Sequence, residues 1–241
     1  MFSNKYKNRQ YYKKEVPIGF LSLIYTIINH KMFEKDVLLR KSLFTLYSDY
    51  LTIFICARKV FTSIELKDNY EISIDGTSYY FFLRIYYDSL AVVLHLLMRK
   101  LYPTSITWPP TKSFNSFVKW LSESSNSEIS RIFKDFNQYK YLDVFIKARE
   151  IRNQLKTPSS IPQSRRLVHE KMNTDINIET LKKDIVDTLF SLLSMSDYLG
   201  NYFLRNLKEL KSLKRIDYDQ DQYPVAFLHS EERKIYIWFT S

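Results

Sequence analysis

The sequence predicts a mainly α protein, a long-helix up-and-down bundle with a small C-terminal β-hairpin. Three observations predict it. Only three glycines, Gly19, Gly76 and Gly200, interrupt the 241 residues. Apolar side chains recur at steps of three and four over long stretches, the spacing of one helix face. Near the end, YPVAFLH and KIYIWFT are β-branched and aromatic runs separated by Ser230, Glu231, Glu232 and Arg233, the pattern of a hairpin. The expected organisation is a basic arm and lead-in over residues 1–33, a bundle over 34–213, and the hairpin over 214–241. An isolated hairpin is marginal in water, so it packs on the bundle, pairs with residues 17–25, or pairs with another subunit. At 45% hydrophobic and 16% aromatic, the chain has the apolar surface for a sizeable core.

Residues 1–16 read as a basic, tyrosine-rich arm, and 17–30 fit either a strand or a short helix. A long helix is expected from Glu34 to about Lys67, with Leu43, Leu46, Tyr47, Tyr50, Leu51, Phe54 and Ile55 on its apolar side. A polar connection bounded by Asp68-Asn69 and Asp75-Gly76 follows, with Tyr70–Ile74 as a brief extended piece. The next helix runs from about Ser78 to Leu101, with Asp75, Thr77 or Ser78 as candidate N-caps. Arg84, Asp88, His95 and Arg99 share one of its faces, and Arg84–Asp88 has ion-pair spacing. Three prolines make 102–113 a loop. A short helix at Asn115–Ser122 leads to a helix from about Ser127 to Lys156, with Asn137 as a candidate interruption. Asp175 caps a final helix to about Leu213, with Gly200 a candidate kink.

The charge of +10 and pI near 9.4 suit a polyanionic partner such as RNA, although a lysine-rich solvated surface gives the same balance. The single cysteine, Cys56, sits in an apolar run and reads as a packed thiol, so there is no disulfide framework and a cytoplasmic location is the default. The N-terminal VPIGFLSLIYTII has the order of a signal sequence but no small-residue cleavage site. Charges such as Asp49 and Asp88 break the other apolar runs, so no membrane span is expected. The four histidines stand outside any zinc pattern, and no phosphate-binding glycine loop or nucleophile elbow occurs; neither a metal nor a cofactor is expected. Asp184 and Asp187 read as part of a solvated face.

The segment Tyr141–Leu155, YLDVFIKAREIRNQL, carries the functional expectation. Tyr141, Val144, Phe145, Ala148, Ile151 and Leu155 form an apolar stripe, and Arg152 lies on or beside it. A guanidinium there must be paired or meet a ligand. Pro158 ends the helix, which puts Arg152 and Asn153 in its last turn, beside a loop holding Arg165 and Arg166. If the Arg84, Asp88, His95, Arg99 face meets that turn, Asp88 would hold the Arg152 guanidinium for phosphate or partner recognition.

AREIRNQL at the end of a bundle helix resembles the RN turn of HEPN-domain proteins, helical bundles common in prokaryotic defence and toxin–antitoxin systems. FFLRIYYDSLAVVLHLLMRKLY is similar to the second long helix of such bundles, and the likeness covers about residues 35–213. It implies a homodimer and, for family ribonucleases, metal-independent RNA cleavage by an arginine and a histidine with four to six residues between them. Here Arg152 matches the arginine and Asn153 its polar neighbour. The histidine window falls on Thr157, Pro158 and Ser159, so the motif histidine is missing. The resemblance therefore implies a catalytically degenerate binder of RNA or of an antitoxin-like protein partner. Arg152, Asn153 and His169 are the candidate catalytic residues, and Arg84, Asp88, His95, Lys156, Arg165 and Arg166 the supporting ones. The alternatives are an active endoribonuclease in which His169 or His95 replaces the lost imidazole, and a structural or interaction protein in which Arg152 is an internal ion-pair partner.

Overall fold

Capping chemistry, more than glycine placement, sets the helix boundaries. The computed structural model describes residues 2–3, 23–24, 27–28, 31–102, 113–156, 176–208, 225–229 and 234–238, with backbone alone at 2–3, 32, 69, 151–156, 176–177, 225–229 and 234–238. Six helices are described: α1 (Val37–Glu65), α2 (Asn69–Leu101), α3 (Phe114–Glu123), α4 (Ser127–Gln138), α5 (Tyr141–Lys156) and α6 (Ile176–Asn206). The chain is thus mainly helical, as its periodicity predicts. Backbone at 23–24 and 27–28 is helical, and Leu23, Ile24 and Ile27 are buried.

Two expectations at the start of α2 need correction. Tyr70–Ile74 is helical rather than extended, and the N-cap is Asp68 rather than Asp75, Thr77 or Ser78. The Asp68 carboxylate accepts from the backbone N–H groups of Tyr70 and Glu71, each at 3.0 Å. It thereby satisfies two of the orphan donors that every helix start presents. Lys67, at φ 56°, makes the tight reversal from α1. Asp75 instead accepts the Ser63 hydroxyl at 2.7 Å, tying α2 back to α1. Gly76 lies buried inside the helix, its intrinsic cost of about 1 kcal/mol outweighed by packing on both sides.

Pairs of contacts fix the helix directions. Ser63–Asp75, Asp49–Ser89 and Asp36–Lys100 run α1 antiparallel to α2. Tyr87 reaches Tyr141 while Arg84 reaches Phe145, so α5 also runs antiparallel to α2. Lys147–Asp184 and Tyr141–Ser194 run α6 antiparallel to α5. The four long helices therefore alternate in direction, with the short α3–α4 pair inserted between α2 and α5. Asn126 caps α4 through Glu128 and Ile129, and Lys140, at φ 56°, breaks α4 from α5 near the anticipated Asn137.

One continuous core joins these helices, from Leu43, Tyr50 and Phe54 through Tyr86 and Leu97 to Phe136, Phe145, Leu189 and Phe203. In α5, Tyr141, Phe145 and Ala148 are buried as the stripe predicts, and Val144 is half-buried. Cys56 is buried, and desolvation raises its thiol pKa, which keeps it protonated and inert. By length and composition α2 is the one described helix able to cross a membrane. However, 56% of its apolar window is buried, the position of a core helix in a bundle.

Extended backbone occurs at β1 (Phe2–Ser3), β2 (Val225–His229) and β3 (Lys234–Trp238), in the order β1-β3-β2. The connection at 230–233 and the side chains of all three segments lie outside the described residues. So do residues 4–22, residues 103–112, Asp175 and residues 209–213, on which further expectations fall.

Candidate functional site

The helical spacing of Arg84 and Asp88 produces the ion pair it predicts. Arg84 is buried, with Nη1 2.5 Å from Asp88 Oδ1. The contact is one of charge rather than of alignment, because Nη1 and Nε of Arg84 make no hydrogen bond among the described residues. The same Asp88 oxygen accepts the backbone N–H of Phe114 at 3.0 Å. Asp88 thus places a carboxylate on the positive start of α3, beside the Ser113 cap. The guanidinium of Arg84 lies 5.0 Å from the centre of the Phe145 ring, a cation–π contact across the α2–α5 seam.

Arg149 is the residue that the sequence reasoning passed over. Its guanidinium is 5.9 Å from the same ring, and it donates to Asn115 Oδ1 at 2.8 Å. Phe145 is therefore met by two arginines, one buried with a carboxylate and one held nearer the surface by α3. The signal was present in the spacing, since Arg149 stands one turn before Arg152 on α5.

The antiparallel crossing does not bring the rest of the face to Arg152. From the level where Arg84 meets Phe145, Arg152 lies seven residues one way and Asp88 four the other, about 16 Å apart along the helices. An arginine and an aspartate side chain do not bridge that distance, so Asp88 holds Arg84 and α3, not Arg152. His95 is farther still, about 27 Å from the Arg152 level. It is partly buried, and desolvation, followed by Arg99, lowers its pKa. The Arg152 turn is instead level with the N-terminal half of α2 and the start of α6.

Arg152, Asn153 and Lys156 lie in the final turns of α5, described by backbone alone. Arg165, Arg166 and His169 lie outside the described residues. Asp184, expected on a solvated face, pairs with Lys147, whereas Asp187 is exposed. Among the described residues, no group of three or more His, Cys, Asp or Glu side chains gathers as a metal site. No protein-family description, curated protein or solved structure matches this chain. The HEPN resemblance thus rests on the two segments that carry it.

Proposed function

We propose that this protein is a HEPN-like helical bundle, catalytically degenerate, that binds RNA through the Arg152-Asn153 end of α5. The observation that carries the reading is the position of α5. It packs on α2, α4 and α6 and ends with Arg152 and Asn153 in its final turns, as an RN turn requires. In sequence, Lys156, Arg165 and Arg166 follow that turn, on a chain of charge +10. Loss of cleavage follows from Thr157, Pro158 and Ser159 filling the histidine window. His95 does not replace the imidazole within one chain, because about 27 Å separates it from Arg152. His169 stays as the candidate for an active variant of the same reading. The HEPN-like details complete the proposal: a hairpin packed on the bundle, a homodimer, a cytoplasmic location with no membrane partner, and a defence or stress-response role with an antitoxin-like protein.

A second reading, a structural protein without a nucleic-acid role, is favoured by the way packing absorbs Arg84 and Asp88. One experiment separates the readings: wild type and Arg152→Ala are incubated with structured and unstructured RNA in EDTA across a salt series. The proposal expects an electrophoretic shift that weakens steeply with salt, is lost in the variant, and brings no cleavage. Arg152-dependent cleavage would instead establish an active ribonuclease. Absence of both signals would leave the structural reading.

A further inference from the structure

The outer face of α2 is apolar over most of its length. Tyr70, Ile74, Phe81 and Val92 are 69%, 43%, 43% and 37% exposed, and Ile85 and Leu96 on the same face are half-buried. At 3.6 residues per turn these side chains share an arc of about 80° and form a stripe about 39 Å long. The solvent side of a surface helix is ordinarily polar, so this stripe calls for a partner.

Its spacing suits a copy of itself. Tyr70, Phe81 and Val92 are eleven residues apart, as are Ile74, Ile85 and Leu96. Eleven residues come close to three full turns, so the stripe runs nearly straight along the helix. The row is also its own mirror image about position 83: Tyr70 corresponds to Leu96, Ile74 to Val92 and Phe81 to Ile85. Laid antiparallel on a second α2, each of these side chains meets another apolar one.

The charges follow the same reversal. Glu71 is exposed near the start of α2 and Arg99 near its end, and neither is in an ion pair among the described residues. Lys100 is answered within the chain by Asp36, which leaves Arg99 as the excess cation. The charges between Glu71 and Arg99 are already committed: Asp75 accepts from Ser63, and Arg84 pairs with Asp88. Asp88 falls at the mirror position of Ser78, a hydroxyl. Helix side chains lean towards the N-terminus, so Glu71 and Arg99 of opposed copies lean towards each other across an offset of about 6 Å.

We propose that two copies of this chain associate through the outer face of α2, antiparallel about a two-fold axis near position 83. The proposal rests on the homodimer of the reading above and names the surface that joins its copies. An isologous contact must be complementary to itself reversed, a demand that neither a lipid surface nor an unrelated protein makes. The stripe offers roughly 400 Å² per copy, about half of what each side of a standard interface buries. The association is therefore weak and concentration-dependent.

Sedimentation velocity of the full chain over rising concentration should show a monomer–dimer equilibrium. Phe81→Glu should weaken it at least about tenfold. Glu71→Arg and Arg99→Glu should each weaken it about tenfold, because two-fold symmetry sets two like-charged contacts against the dimer. Combined in one chain, the two reversals should restore it. The two positions lie about 42 Å apart on one helix, so recovery requires a second, antiparallel copy. Circular dichroism should stay unchanged, since all three side chains are exposed. Failure of the double variant to recover overturns the antiparallel register. A dimer indifferent to every substitution overturns this surface and leaves the homodimer standing, whereas a chain that stays monomeric overturns both. A monomer that floats with phosphatidylcholine vesicles through Phe81, or whose position 81 photo-crosslinks to residues 4–22 of the same chain, gives the stripe to that occupant instead. An RNA shift that depends on Arg152 survives any of these results.

Discussion

Two ends of the stretch of α2 from Arg84 to its C-terminus hold their neighbours by different chemistry. At one, a buried guanidinium, a carboxylate and a phenylalanine ring join α2, α3 and α5 through Arg84, Asp88 and Phe145. At the other, phenols from three helices reach carboxylates and hydroxyls, as Tyr102 reaches Glu128 and Tyr198 reaches Asp135. Formal charges draw attention to the first end. Yet the second spreads its polar links over more helices and keeps them on side chains that also fill the core. A tyrosine does both jobs, burying a ring and placing one hydroxyl, where an arginine must also be neutralised.

The largest consequence is alkaline. Tyr79, Tyr80, Tyr86 and Tyr87 are held above the ordinary phenol value near 10 by burial, which disfavours the phenolate. Tyr198 is raised by burial and by Asp135, and Tyr102 by burial and by Glu128. A raised pKa means that the fold keeps protons which the unfolded chain surrenders. The associated stability is complete below pH about 10 and is lost as pH climbs beyond it. We expect cooperative unfolding above that pH, with phenolate absorbance and loss of helical dichroism appearing together. Smooth titration of the tyrosines with the helices intact would contradict this role of the buried phenols.

The guanidinium end is sharpened by Asp88→Ala. The change leaves Arg84 buried without its counter-charge and uncaps the Phe114 N–H. Allowing for the partial exposure of Asp88, a loss of about 3 kcal/mol is expected from urea unfolding. Adding Arg84→Met should recover most of it, because an apolar side chain of similar length needs no partner. A loss below about 1 kcal/mol in the single variant would mean that water already neutralises the pair.

These two ends also show what the sequence made legible. The long helices were readable because their apolar periods run uninterrupted, and Arg84–Asp88 was readable because i,i+4 contacts are local. The cap of α2 was misread because Asp68 and Asp75 are equivalent in type, and a contact distant in sequence, Ser63 on Asp75, separates their roles. The same applies to Asp88, whose bond to Phe114 joins residues far apart in sequence. Tyrosines such as Tyr86 and Tyr198 could be assigned to an apolar face, but their hydroxyl partners depend on helix packing. The antiparallel crossing, invisible to periodicity, separates Arg152 from Asp88 and His95.

Smaller effects are expected from deleting single phenol links. Tyr198→Phe removes a bond to a carboxylate but leaves the ring, and should cost about 1–2 kcal/mol. Tyr102→Phe should act similarly through Glu128 and Tyr202. If the two phenols work as one connected network, the double variant will lose measurably more or less than the sum of the singles. Strict additivity would divide the tyrosine end into independent bonds and weaken its contrast with the shared oxygen of Asp88.

The smallest effect is acidic, and His95 carries it. His95 stands on α2 between the two ends, and desolvation, followed by the Arg99 charge, lowers its pKa below 6.5. The fold therefore binds this proton less readily than the unfolded chain does. Stability from His95 is complete above about pH 6.5 and declines as pH falls through that value, levelling once the folded imidazole also titrates. Thermal melts from pH 7.5 to 5 should show a shallow drop that His95→Asn flattens, with no change on the alkaline side. An equal drop in the variant would show that the acid sensitivity does not come from His95.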